Sequence, residues 1–234
     1  MKLKSRGFTL AEVLITLGIV GVVAAITIPV LVQKYREKVV ITKCKTDYSI
    51  IMQALQMAQA DFGTPNDNSS LFLAENGDNN NLIKLFGKYI PGAQVCLSTS
   101  KDQICKNRKH FIALKPWDDV GETYYSGIIL PDGGTIYIYC STEKCVPTEI
   151  SGNLLDANGQ IIYNEDGTPK MWTNIRNSCG NITFDINGLK PPNKYGYDAF
   201  KLMVWPDKVG EPYWGAYGTS ELFDILQGGK PLYK

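Results

Sequence analysis

From Phe8 to Val32 this chain is apolar or small at nearly every position and carries a single charge, Glu12. A run of about 25 residues rises about 37 Å as a helix, enough to cross a hydrocarbon core of roughly 30 Å. A carboxylate inside such a run costs about 2.5–3.5 kcal/mol at mid-bilayer on insertion scales, so something must compensate Glu12. Lys2, Lys4 and Arg6 stand ahead of the run, and Gly7 separates charge from apolar chain. A secretory signal has an apolar core of about 7–15 residues followed by a small-residue cleavage site. This run is longer, holds a charge and passes straight into a second helical pattern. A plain membrane anchor accounts for the length but leaves Glu12 and the basic-Gly-Phe junction without a purpose.

Beyond Val32 the helical pattern continues. Val40 or Ile41, Cys44, Tyr48, Ile51, Leu55, Ala58 and Phe62 recur at spacings of three and four, an amphipathic stripe. Lys43, Lys45, Asp47, Gln53, Gln56 and Gln59 lie between them and form the expected solvent face, and Gly63 with Pro65 supplies the stop. Phe8 to Phe62 reads as one helix about 80 Å long. Its first half spans a membrane, and its second half packs the stripe on a globular domain.

The remainder reads as an α+β domain. Thr64 to Asn81 is a polar loop with one short turn around Leu71 to Glu75, and Asn81 caps a short helix, Leu82 to Tyr89. Phe111 to Leu114 is a short strand. Thr123 to Leu130 and Thr135 to Ser141 are rich in Tyr and Ile, and Pro131-Asp132-Gly133-Gly134 joins them as a hairpin turn. A second hairpin is expected from Gln160 to Tyr163 and Lys170 to Trp172, with Glu165-Asp166-Gly167 as its turn. Asn181 to Ile186 and Ala199 to Trp205 are further strands, and Ser220 to Leu226 is a short helix. The long helix is therefore expected to pack on one antiparallel sheet of about four to six strands.

Charge and motif content narrow the function. Twenty-four basic and 23 acidic residues leave a net charge of +1, which offers no electrostatic footprint for nucleic acid. The chain has one histidine, His110, and lacks G-x-S-x-G, H-E-x-x-H and a phosphate-binding glycine loop. Asp118/Asp119 and Glu165/Asp166 read as solvated turn residues, so no enzyme is expected. The six cysteines are Cys44, Cys96, Cys105, Cys140, Cys145 and Cys179. An even number in a domain outside the cytoplasm reads as disulfides, whereas a single histidine and the lack of C-x₂-C argue against zinc. The short closures are Cys96–Cys105 and Cys140–Cys145, which leaves Cys44–Cys179, although connectivity cannot be deduced from sequence alone. The aromatic tail (Tyr195, Tyr197, Trp205, Tyr213, Trp214, Tyr217) reads as core and turn packing before it reads as a ligand-binding face.

One stretch carries a family resemblance. Arg6-Gly7-Phe8-Thr9-Leu10-x-Glu12, followed by an apolar helix containing Pro29, resembles the amino terminus of type IV pilins and type II secretion pseudopilins. The resemblance implies a leader peptide over 1–7, a long helix over 8–62 that is transmembrane over about 8–32, and an extracytoplasmic pilin-like domain over 63–234. It implies cleavage between Gly7 and Phe8 by a prepilin peptidase, N-methylation of Phe8, and pairing of Glu12 with the Phe8 amine of a neighbouring subunit. Gly18, Gly21 and Pro29 would mark where the helix loosens during assembly, since proline removes a backbone hydrogen bond and glycine costs about 0.8–1.0 kcal/mol relative to alanine. The implied partners are copies of the chain, related pilins, the peptidase and an inner-membrane assembly platform. Basic residues flank the run on both sides (Lys34, Arg36 and Lys38 follow it), so charge alone does not orient it. The resemblance does: amino terminus in the cytoplasm, a single pass through the bacterial inner membrane, then a periplasmic or cell-surface filament. The alternative is a membrane-tethered or filament-tip binding module, such as an adhesin or a DNA-uptake minor pilin. No cofactor is required on this reading. Asp185, Asn187 and Asp198 frame a Gly- and Pro-rich loop that reads as a turn in which Asp185 and Asn187 bond their own backbone before it reads as a set of oxygens for calcium.

Overall fold

The computed structural model describes residues 9–73, 79–97, 99–106, 126–140, 145–188, 190–211 and 218–231. Helix α1 runs unbroken over Leu10–Asp61, 52 residues, with Pro29 inside it. Thr9 starts it through a reciprocal cap. The Glu12 main-chain N–H donates to Thr9 Oγ1 at 3.3 Å, and the Thr9 N–H donates back to Glu12 Oε2 at 2.9 Å. Two otherwise unsatisfied donors of the first turn are met this way. From Leu10 to Val32 the large apolar side chains are exposed to the surroundings.

The second half of α1 behaves differently because its apolar residues recur on one face. Val40, Cys44, Ile51, Ala54, Leu55 and Ala58 are buried in the domain core. Two members of the expected stripe depart from it: Tyr48 is half-buried and Phe62, the C-cap, is exposed. Asp47, expected on the solvent face, is fully buried. It follows Cys44 by three positions and precedes Ile51 by four, so helical geometry places it in the middle of the packed face.

Among the described residues, six antiparallel strands form the main sheet in the order β1-β2-β3-β6-β7-β8. They are β1 (Gln94–Cys96), β2 (Gly127–Ile129), β3 (Thr135–Cys140), β6 (Gly180–Asp185), β7 (Ala199–Val204) and β8 (Val209–Gly210). The expected first hairpin is present: Leu130 N–H donates to the Gly134 carbonyl at 2.8 Å, and Gly133 supplies φ +91° in the turn. Alternation on β3 turns Ile136, Ile138 and Cys140 to one face, in register with Phe184, Ile182 and Gly180 of β6. Phe200, Leu202 and Val204 of β7 continue that face, and all join the core that α1 closes. Helix α2 (Asn80–Lys88) contributes Leu82, Ile83 and Phe86, and α4 (Ser220–Leu226) contributes Leu222 and Ile225; α3 (Gln103–Lys106) is a single turn. The cap of α2 is Asn79 rather than Asn81, and its side chain serves the sheet instead, accepting from Cys140 N–H at 3.1 Å.

The second hairpin differs from expectation. A separate two-stranded sheet pairs β4 (Thr148–Asn153) with β5 (Met171–Arg176), while Gln160 to Tyr163 joins only through the isolated bridges Leu155↔Ile161 and Tyr163↔Pro169. β4 reads Thr-Glu-Ile-Ser-Gly-Asn; exposed nearly throughout, it needs no apolar alternation and so gives no strand signal. The strand expected at Phe111 to Leu114 lies outside the described residues, as do Thr123 to Tyr125 of the first hairpin.

Candidate functional site

Two regions carry chemistry: the amino-terminal turn of α1 and the polar junction where its second half meets the sheet. At the first, Glu12 is exposed and its carboxylate is engaged locally. Oε2 accepts from both the main-chain N–H and the hydroxyl of Thr9, at 2.9 and 2.8 Å. Thr9 and Glu12 carry the S/T-x-x-E signature of a capping box, so the sequence signals this local role of Glu12 beside its cost as a charge in lipid. Gly7 and Phe8 lie outside the described residues. Gly18 and Gly21 have open space where a side chain would stand, and the helix passes through them and Pro29 without a break. Thr27, two positions before Pro29, returns its hydroxyl to the Val23 carbonyl at 2.9 Å. By length and composition α1 is able to cross a membrane.

At the second region, Lys43 reaches from α1 to Asp132 Oδ2 in the β2–β3 turn and to the Ile186 carbonyl, both at 3.1 Å. Asp47 stands one turn further on, and neither of its carboxylate oxygens has a hydrogen-bond partner among the described residues. Burial, and then the Asp132 carboxylate, push Asp47 up to about 7, while Lys43 draws it down. Asp185 is also raised well above the ordinary carboxylate range, first by burial and then by Asp198.

The loop after β6 brings Asp185, Asn187 and Asp198 together. Asp198 accepts from Asn193 N–H at 3.0 Å, Lys194 N–H at 2.8 Å and the Asn187 side-chain amide at 3.1 Å. Asp185 Oδ1 accepts from Asn187 N–H at 3.0 Å. The Asn193 amide, oriented to satisfy its own atoms, donates to the Gly188 and Lys190 carbonyls at 2.8 and 2.9 Å. N–H donors rather than open lone pairs therefore surround Asp198, and the loop supports itself through its own backbone.

The cysteines require a correction. Cys96–Cys105 closes as expected, but the second bridge is Cys145–Cys179, and Cys44 and Cys140 are buried free thiols. Register explains why Cys44 does not meet Cys179. Thr135 pairs with Asp185 at one end of the β3–β6 ladder and Cys140 with Gly180 at the other. Five residues of strand separate those ends by about 17 Å. Cys44 lies between Lys43 and Asp47, which meet the Asp132 turn at the first end; Cys179 adjoins the second. Cys140, on β3, turns into the core beside Ile138, while Cys145 approaches Cys179 to a Cα–Cα distance of 4.1 Å. Burial pushes both free thiols up to about 12, so they stay protonated at physiological pH.

Of the remaining candidates, Trp205 is buried and Tyr195 is half-buried with its hydroxyl 3.4 Å from Thr183 Oγ1. His110, Asp118, Asp119, Tyr213, Trp214 and Tyr217 lie outside the described residues, whereas Glu165 and Asp166 form an exposed turn.

Comparison with known families gives two matches. The model of the prokaryotic N-terminal methylation motif matches residues 2–28, and this is the signal motif of type IV pilins and pseudopilins. The model of a family of unknown function (DUF6613) matches residues 30–220. No curated protein and no solved structure gives a significant match.

Proposed function

We propose, starting from the fact that this chain belongs to the family of unknown function DUF6613 and opens with a pilin-type methylation motif, that it is a structural subunit of a filament of the type IV pilus and type II secretion class. The observation that carries the reading is the continuity of that motif with α1. Residues 2–28 match it, the helix behind it stays apolar and uncovered to Val32, and only from Val40 does the helix enter the domain core. A helix in this state has an apolar half that water does not tolerate, which a membrane first and neighbouring subunits later would cover.

On this reading residues 1–7 are a cytoplasmic leader, the peptide bond between Gly7 and Phe8 is cut by a prepilin peptidase, and Phe8 is methylated. The domain beyond α1 lies outside the cytoplasmic membrane, where Cys96–Cys105 and Cys145–Cys179 persist in oxidising surroundings. The chain acts as scaffold rather than catalyst and meets copies of itself, related pilins and the inner-membrane assembly platform. Amino-terminal mass spectrometry of the mature protein tests the proposal. The expected chain begins with methylated Phe8; one beginning after Ala25 would establish an ordinary secretory signal instead.

A further inference from the structure

Gly134 has no side chain, and the space a Cβ would occupy faces three oxygens from three different elements. Asp47 Oδ2 of α1 and Asp132 Oδ1 of the β2–β3 turn lie 3.3 Å from that point, and the main-chain oxygen of Asp185, at the end of β6, lies 3.2 Å from it. We propose that this cradle over Gly134 binds a hard divalent cation of the calcium class, held by Asp47, Asp132 and the Asp185 carbonyl.

The argument begins with Asp47. It is fully buried and both its carboxylate oxygens lack a partner among the described residues, a costly state for a polar group inside a protein. Nothing about packing requires an aspartate there, because Cys44, Ile51, Ala54 and Leu55 fill the same helix face with apolar atoms. Its Oδ2 points into the cradle, where a second carboxylate and a carbonyl already converge. Asp132 Oδ1 also accepts from Gly134 N–H at 3.1 Å, and Asp132 Oδ2 holds Lys43 at 3.1 Å, which fixes the turn carboxylate in place.

Donor chemistry selects the class. All three donors are oxygens, which suits calcium and magnesium rather than soft metals. They come from a helix, a turn and a strand end, an irregular set that suits calcium's flexible shell better than the near-ideal octahedron of magnesium. Calcium holds its oxygens at about 2.3–2.6 Å, and it would stand beyond the Cβ point, on the side of the three oxygens, because that point is only a bond length from Gly134 Cα. A bound ion would tie α1, the first hairpin and β6 at one point.

The full chain, purified in detergent, would be melted with EDTA, with calcium chloride and with magnesium chloride. We expect calcium at about a hundredfold its dissociation constant to raise Tm by roughly 5–10 °C, and magnesium at the same concentration to raise it less. Gly134→Ala, whose methyl group fills the cradle, and Asp47→Asn are both expected to abolish the calcium response. Asp47→Asn removes a buried charge, so its Tm in EDTA should equal or exceed that of the natural sequence, which separates loss of binding from loss of folding. Asp198→Asn should keep the response. Equal midpoints in EDTA and millimolar calcium would overturn the proposal, as would a response that survives both cradle substitutions. A response lost only in Asp198→Asn would also overturn it, because it would move the ion to the loop after β6.

Discussion

A glycine and an aspartate show how little room single residues have where α1 meets the sheet. Gly188 holds φ +67°, and a Cβ there would overlap the Gly133 carbonyl oxygen in the neighbouring turn. Gly63 has the same φ of +67° but open space around it. Gly63→Ala should therefore cost only the left-handed backbone term, about 1 kcal/mol, whereas Gly188→Ala adds a steric conflict between two turns that support the same junction. The expected loss for Gly188→Ala is about 2–3 kcal/mol, or about 5–10 °C in Tm, read against Gly63→Ala in parallel melts. The Gly-rich turns were visible in the sequence. Their collision was not, because Gly133 and Gly188 become neighbours only when β3 pairs with β6. Asp47 carries the same lesson: charge placed it on the solvent face, and the position of the helix on the sheet buried it.

At the scale of elements, the Cys145–Cys179 bridge closes the chain on either side of β4 and β5. That two-stranded sheet is separate from the main one; it exposes Met171, Trp172 and Ile175, and the segment joining its strands exposes Leu155 and Tyr163. An isolated hairpin of this size is marginal in water, so closing its base matters more than for a strand inside a larger sheet. The bridge spans 34 residues against 9 for Cys96–Cys105. In the chain-entropy model the longer loop contributes about 3.8 kcal/mol and the shorter about 2.6 kcal/mol. Cys145→Ser with Cys179→Ser should accordingly lower the denaturation midpoint more than Cys96→Ser with Cys105→Ser. The larger effect appearing in the second pair would contradict this ordering. Peptide mapping without reductant should recover Cys44 and Cys140 as thiols.

For the whole molecule, α1 is about 78 Å long by its rise per residue, and its two halves face different surroundings. Glu12 is held by Thr9 in the single chain, so in a filament it would exchange that cap for a neighbour's Phe8 amine. Breaking a desolvated ion pair by removing one partner costs about 3–5 kcal/mol, whereas losing a cap costs about 1 kcal/mol. Co-expressed Glu12→Ala protein should thus be processed and inserted normally, yet be depleted in purified filaments by more than about tenfold relative to its share in the membrane. Equal shares in the two fractions would remove Glu12 from assembly.

The long helix, the Asp132-Gly133 hairpin, β6, β7 and α4 were legible in the sequence because each rests on local physics: apolar period, turn chemistry, caps. The amino-terminal motif was equally legible, since it lies in seven consecutive residues, Arg6 to Glu12. Strand register decided the rest. It sets which end of β3 faces which end of β6, and so it parted Cys44 from Cys179 and joined Cys145 to Cys179. It also gathered Asp47, Asp132 and Asp185 over Gly134 from positions far apart in the chain. Such groupings follow from long-range pairing, whose outcome depends on every strand and helix packing at once, and no short window of sequence contains that information.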